Sequence, residues 1–212
     1  MTDTTKGFAA MIAACCIWGL SSIFYKMLSH VPAAEVLAHR TLWSLVFFVI
    51  VLAVQRRLRA ILDAMVGPRA FGLLAFAALV IATNWYLFIW AVQSGQATEA
   101  ALGYYIFPLV SVLLGRLVFA ERLSPVQLFA VGLVTVAVSL LTYGLGTAPW
   151  LAMALAASFG LYGLAKKRLA VGPVVSVTAE VLLLSPLAVL VLWQTGDNGA
   201  GAFGPPSAIR RC

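Results

Sequence analysis

Charged residues are scarce in this sequence, and long apolar runs take their place. Only 10% of the 212 residues are Asp, Glu, Lys or Arg, 63% are hydrophobic, and the mean hydropathy is +1.01. Soluble globular domains are roughly 25% charged. A water-soluble fold has no means of burying this much apolar surface. We therefore predict that most of the chain lies in a lipid bilayer.

Cysteine and histidine are also few, which limits the chemistry that the chain can carry. Three Cys and two His form neither a disulfide framework nor a metal-ligand spacing. The His-Glu-x-x-His and Gly-x-Ser-x-Gly patterns, paired carboxylates and a phosphate-binding loop are absent as well. We expect no metal, no cofactor and no enzymatic activity, and an intramembrane enzyme is kept only as a rival hypothesis.

The apolar residues fall into seven runs of a length typical of transmembrane helices. A helix needs about 20 residues to cross the hydrocarbon of a bilayer. Proline, glycine and charged residues separate the runs. We predict an all-α fold, a polytopic transmembrane helical bundle, with spans at 8–28, 35–54, 71–92, 99–119, 126–144, 148–165 and 174–194.

The positive charges predict the orientation of the chain. The net charge is +7, but Lys and Arg occur in short clusters between apolar runs, which argues against binding to nucleic acid. Lys and Arg accumulate in cytoplasmic loops. A cytoplasmic N-terminus places ten of the fourteen on the cytoplasmic side: Lys6, Arg56, Arg57, Arg59, Arg69, Arg116, Arg122, Lys166, Lys167 and Arg168. We predict a multi-pass protein of the cell (inner) membrane with this orientation.

An internal repeat is visible when the sequence is shifted by 141 residues. This shift aligns Lys26 with Lys167, Pro32 with Pro173 and His39 with Glu180. Five spans separate the equivalent positions, so the second copy must enter the membrane in the opposite sense, as in inverted-repeat transporters.

The repeat predicts three regions of the chain. They are a first five-helix repeat at 7–145, a partial second repeat of two spans at 147–194, and an irregular tail at 195–212. A complete second copy would need three more spans. We therefore expect the chain to be shortened at its C-terminus.

Several motifs resemble the EamA-type drug/metabolite transporter superfamily, and specifically its RarD branch. They are Ile17-Trp18-Gly19, Glu35-Val36-Leu37-Ala38-His39-Arg40, Asn84-Trp85-Tyr86 and Leu102-Gly103-Tyr104-Tyr105-Ile106. The resemblance implies a ten-span inner-membrane permease that moves small metabolites, amino acids or drugs by secondary transport. The chain departs from the pattern at Phe107, where the family usually has Asn, and in lacking the last three spans.

Ionisable residues inside the predicted spans are the main candidates for function, because charge is costly in a membrane. Arg40 is predicted to bind an anionic group of a substrate. The alternatives are that Arg40 reaches the membrane interface or pairs with Glu35. His39 lies one turn after Glu35 on the same helix face and is a second candidate for substrate binding. Glu180 is predicted to couple transport to protons, or else to form an ion pair with Arg40 or Lys26.

Amide and aromatic side chains complete the predicted substrate site. Asn84, Trp85, Tyr104 and Tyr105 offer stacking surfaces and hydrogen bonds, although packing and interfacial belts are common uses of such residues in membranes. We predict a transporter of small solutes that works by alternating access, with the bilayer and a small-molecule substrate as its partners. The alternatives are a homodimer that completes the cavity and a shortened, non-functional or partner-dependent chain.

Overall fold

The computed structural model describes residues 3–119, 123–145 and 150–197, and these ranges are almost entirely helical. Seven long helices and one short helix follow one another along them. They are α1 (Asp3–Met27), α2 (Ala33–Val54), α3 (Arg59–Met65), α4 (Pro68–Gln93), α5 (Ala97–Phe119), α6 (Pro125–Leu145), α7 (Trp150–Arg168) and α8 (Pro173–Asp197).

Six of the described helices are long and apolar enough to cross a membrane, namely α1, α2, α4, α5, α6 and α8. The predicted all-α, polytopic membrane fold is thereby confirmed. The remaining long helix, α7, has 19 residues and ends in Lys166, Lys167 and Arg168, which lower its apolar content. The predicted span at 148–165 overlaps α7, which continues three residues further to Arg168, while residues 148 and 149 lie outside the described ranges.

The fold differs from the sequence prediction in one additional helix and at several helix ends. The short helix α3 was not predicted, because seven residues are too few to give an apolar run. Its Ile61 and Ala64 are buried in a cluster with Leu74 of α4. In addition, α8 continues to Asp197, three residues beyond the predicted span and into the predicted irregular tail. The rest of that tail, 198–212, lies outside the described ranges.

Helix α4 is central to the bundle. It packs against α1, α2, α5, α7 and α8, while the most extensive helix pairs are α5 with α7 and α2 with α8. Helix α1 packs mainly on α4, and α6 mainly on α5, so these two helices lie at the periphery. This arrangement agrees with the absence of buried residues in the apolar windows of α1 and α6.

The first hairpin (α1 and α2) and the last hairpin (α7 and α8) turn at opposite ends of the bundle. Gln93, at the end of α4, donates hydrogen bonds to the carbonyls of Leu28 (2.9 Å) and Val31 (3.1 Å) in the first turn. Leu74, near the start of α4, shares a buried cluster with Val175 of the last hairpin. Opposite orientation is what an inverted repeat requires.

Candidate functional site

The guanidinium of Arg40 lies over the ring of Trp85, with its Cζ atom 4.1 Å from the ring centroid. Arg40 is seven residues into α2 and Trp85 is eight residues before the end of α4. At ~1.5 Å per residue, both lie about 10–12 Å from the corresponding helix end. The cation–π contact therefore holds the charge inside the bundle, in contrast to the alternative in which Arg40 reaches the membrane interface.

A cavity of about 620 Å³ opens between α1 and α2, beside Arg40. This volume lies within the range of roughly 300–1,000 Å³ that small-molecule sites occupy. Its polar or charged lining comes from His39, Arg40 and Ser44, and the rest of its wall is apolar or aromatic: Phe24, Tyr25, Leu28, Val36, Trp43 and Phe47. None of the described lining residues is a carboxylate, so Arg40 gives the cavity wall a positive charge.

Glu35 lies one turn before His39, in the first turn of α2, and is buried. A carboxylate in the first turn of a helix interacts favourably with the helix dipole. Glu35 is not among the residues that line the cavity. Glu35 is therefore a buried carboxylate within two helical turns of both predicted binding residues along α2.

The two predicted tyrosines lie in different environments. The ring of Tyr104 is 5.8 Å from that of Phe88 and 6.1 Å from that of Trp18, and these three residues border a smaller cavity of about 220 Å³. Tyr105, by contrast, is 69% exposed on the outer surface of α5. The structure thus brings Tyr104 and Trp85 into the interior of the bundle and leaves Tyr105 outside it.

Phe107, the residue that departs from the family pattern, forms an aromatic pair with Phe159 of α7. The two ring centroids are 4.7 Å apart, at an interplanar angle of 65°. An edge-to-face pair of this kind stabilises helix packing. An apolar α5–α7 contact therefore occupies the place where a polar group was expected.

Asn84 connects α4 to α7. Its side-chain amide donates to the carbonyl of Leu155 and to the hydroxyl of Ser158, both at 2.9 Å, and the residue is 1% exposed. It does not line either of the cavities described above. Its geometry is that of a buried residue that joins two helices, and its predicted contact with substrate stays a prediction.

We expect Asn84→Ala to lower the free energy of unfolding by about 1 kcal/mol, since hydrogen bonds between membrane helices contribute roughly that amount. Thermal unfolding of the purified protein in detergent measures the change. Thr83→Ala is the matched control, because Thr83 is exposed and its hydroxyl bonds only within α4, to Leu79. Equal losses in the two variants would show that the bridge to α7 contributes nothing.

Glu180 lies in a polar network between α7 and α8. Lys166 Nζ is 2.8 Å from Glu180 Oε1, the Tyr162 hydroxyl donates to Oε2 at 2.9 Å, and the Ser176 hydroxyl donates to Oε1 at 2.8 Å. The Glu180 side chain is 2% exposed and that of Lys166 is 24% exposed. Glu180 therefore pairs with Lys166, whereas the alternative considered from the sequence was an ion pair with Arg40 or Lys26.

Sequence reasoning missed Lys166, Tyr162 and Ser176 as neighbours of Glu180. A signal was available, since Tyr162 and Lys166 are four residues apart on α7 and Ser176 and Glu180 are four apart on α8. Residues at this spacing share a helix face. Lys166 was instead counted among the loop charges, because it belongs to a basic cluster at a span end.

These features define a polytopic α-helical membrane protein that keeps charged side chains and a sizeable cavity inside its bundle. The sequence profile of the EamA-like transporter family matches residues 5–143. Similar proteins include an uncharacterized transporter of Vibrio cholerae, 40% identical over 92% of this chain and 65% of its own length. Protein RarD of Salmonella typhi is 38% identical over 95% of this chain and 69% of its own length.

Protein RarD of Streptomyces exfoliatus is 45% identical over 88% of this chain and 59% of its own length. The chain therefore belongs to the EamA-like transporter family and, within it, to the RarD branch. It spans about two thirds of the length of the curated relatives that it matches. No solved structure matches it.

Proposed function

We propose that this protein is a secondary transporter that moves small solutes across the cell (inner) membrane by alternating access, with its N-terminus in the cytoplasm. Membership of a transporter family supports transport in general. The distribution of Lys and Arg supports the orientation. In that orientation, the cavity beside Arg40 lies toward the outer side and the turn of the last hairpin lies at the cytoplasmic end.

One observation carries the proposal: equivalent positions of the repeat line a cavity in one hairpin and form an ion pair in the other. Tyr25 and His39 line the cavity of the first hairpin. The shift of 141 residues aligns them with Lys166 and Glu180, which form the 2.8 Å ion pair of the last hairpin. Two inverted copies that exchange these conformations open a site alternately to either side.

Glu180 is the proposed coupling residue. Protonation of its carboxylate removes the charge that holds Lys166, and so favours separation of α7 from α8 at the cytoplasmic end. Buried carboxylates that alternate between an ion pair and a proton are typical of proton-coupled carriers. His39 occupies the equivalent position of the first hairpin and is a second candidate for the same role.

The proposal is tested by measuring access to two equivalent serines with a membrane-impermeant maleimide. Ser44 lines the cavity, and Ser185 is its equivalent under the same shift. Each is changed to Cys in a chain whose native cysteines are replaced by Ala. We expect Ser44→Cys to react from outside the cell. Adding Glu180→Gln is expected to raise the reaction of Ser185→Cys in inverted vesicles severalfold and to lower that of Ser44→Cys.

Opposite changes at the two positions are the signature of alternating access. If Glu180→Gln only loosened the fold, both cysteines would react faster. That outcome, or no change at either position, would contradict the proposal. The assay needs no knowledge of the substrate, so it tests the conformational cycle separately from any binding site.

A further inference from the structure

We infer that the cavity between α1 and α2 binds an aromatic carboxylate, with the carboxylate at Arg40 and the ring against the aromatic wall. The inference rests on the proposed transport function for its biological role, and it adds the class of substrate. Three properties of the cavity carry it: its charge, the composition of its wall, and the depth of Arg40.

The charge of the cavity is the first of these properties. Arg40 supplies its formal charge, and none of the described residues that line it is a carboxylate. A cation inside a membrane bundle is costly unless an anion or a polarizable group faces it. Trp85 covers the guanidinium at 4.1 Å, but a cation–π contact does not use the N–H donors that bind carboxylates in bidentate geometry.

The side chains in the wall of the cavity determine what kind of group the ligand carries besides its carboxylate. Tyr25, Phe24, Trp43 and Phe47 supply ring surfaces, and Ser44 supplies a hydroxyl. Aromatic rings favour offset or edge-to-face contact with another ring. A sugar would leave its hydroxyls unpaired against this wall, and an amine would be repelled by Arg40. A volume of about 620 Å³ is ample for one or two rings with a short acidic side chain.

The depth of Arg40 favours a solute over a membrane lipid. Trp43 and Phe47 are exposed on the outer surface of α2, so the cavity also opens sideways to the bilayer. A phospholipid phosphate lies at the membrane surface, near the helix ends, whereas Arg40 is about 10 Å further in along α2. The carboxylate of a small solute can reach that depth, because the solute is not anchored at the membrane surface.

Binding of 3-phenylpropionate to the purified full chain in nanodiscs of neutral lipid tests the inference. The neutral isostere, 3-phenylpropionamide, and the amine 3-phenylpropylamine are measured beside it by isothermal titration calorimetry. We expect the carboxylate to bind at least tenfold more tightly than the amide, and the amine more weakly still. Arg40→Gln is expected to abolish the preference for the carboxylate while leaving the affinity for the amide within about twofold.

Arg69→Gln is the matched control, because Arg69 is exposed at the start of α4 and lies outside the cavity. Should Arg40→Gln fail to fold, Arg40→Lys keeps the charge without the planar donor pair and is expected to reduce the preference severalfold. Equal affinity for carboxylate and amide, or an undiminished preference in Arg40→Gln, would overturn the inference.

A lipid as the true occupant is also detectable. In that case 3-phenylpropionate would not bind in nanodiscs that contain phosphatidylglycerol, and the Arg40→Gln variant would not recover the binding. That result would also overturn the inference. If the carboxylate bound but the cysteines at positions 44 and 185 did not change their reactivity in opposite directions, the anion site would be supported and alternating access would be refuted. If the reactivities changed in opposite directions but the carboxylate did not bind, alternating access would be supported and the anion site would be refuted.

Discussion

Lys166→Met is expected to destabilise the protein by about 3–5 kcal/mol, the typical result of leaving a buried charge without its partner. Glu180 is 2% exposed, and its carboxylate would retain only the hydroxyl donors of Tyr162 and Ser176. We expect a large fall in the yield of folded protein and in its melting temperature in detergent, measured by size-exclusion chromatography of a heated sample.

The double variant Lys166→Met/Glu180→Met is expected to recover most of that loss. Replacing both members of a buried ion pair by apolar residues of similar size is often neutral or stabilising. Glu180→Gln should be milder than Lys166→Met, because the amide oxygen still accepts from one of the two hydroxyls and Lys166 is 24% exposed to water. If the double variant were as unstable as Lys166→Met, the ion pair would not be the cause.

Lys167→Met serves as the matched control for Lys166→Met. Lys167 is the next residue in the same basic cluster, but it is exposed and lies on a different face of α7. We expect its replacement to lower the melting temperature less than Lys166→Met does, because Lys167 is exposed to solvent. A loss equal to that of Lys166→Met would indicate that the positive charge of the cluster matters, independently of contact with Glu180.

The fold class could be predicted from the sequence because the composition and length of a segment are enough to indicate that it spans a bilayer. Apolar runs of about 20 residues have few alternatives to a transmembrane helix. The long helices therefore begin and end within a few residues of the predicted spans. The short helix α3 was missed, since its stability comes from the burial of Ile61 and Ala64 against neighbouring helices and not from a local pattern.

The candidate site was predicted only in part, because contacts between helices depend on rotation and packing that one sequence does not reveal. Arg40 was recognised by the cost of a charge inside a span, yet its contact with Trp85 joins residues of α2 and α4. Tyr104 and Tyr105 are neighbours in sequence, but they are about 100° apart around a helix of 3.6 residues per turn. Only Tyr104 faces the interior.

The glycines illustrate the same limit on prediction. Small residues in membrane helices suggest close helix packing. A Cβ atom at Gly103 or Gly160 would lie within 3.0 Å of atoms in the facing helix, whereas one at Gly19, Gly132 or Gly163 would meet nothing within 4 Å. The five residues cannot be told apart from sequence, and of the five only Gly103 and Gly160 approach the facing helix closely.

Gly103→Val is therefore expected to be among the most damaging single changes in the chain. A Cβ at this position would lie 3.0 Å from the Ala152 carbonyl oxygen and 3.0 Å from Leu155 Cβ. Backbone atoms of α7 cannot move aside as a flexible side chain can, so α5 and α7 must separate. Overpacking of this kind costs about 1–3 kcal/mol or more. The measurement is again the melting temperature in detergent.

Gly132→Val on α6 is the control for Gly103→Val, because both glycines lie inside helices and both changes alter helix propensity equally. Gly132 has open space around it, so the difference between the two variants isolates the packing cost. Gly103→Ala should fall between wild type and Gly103→Val. If all three variants melted together, the close approach of α5 to α7 would not limit stability.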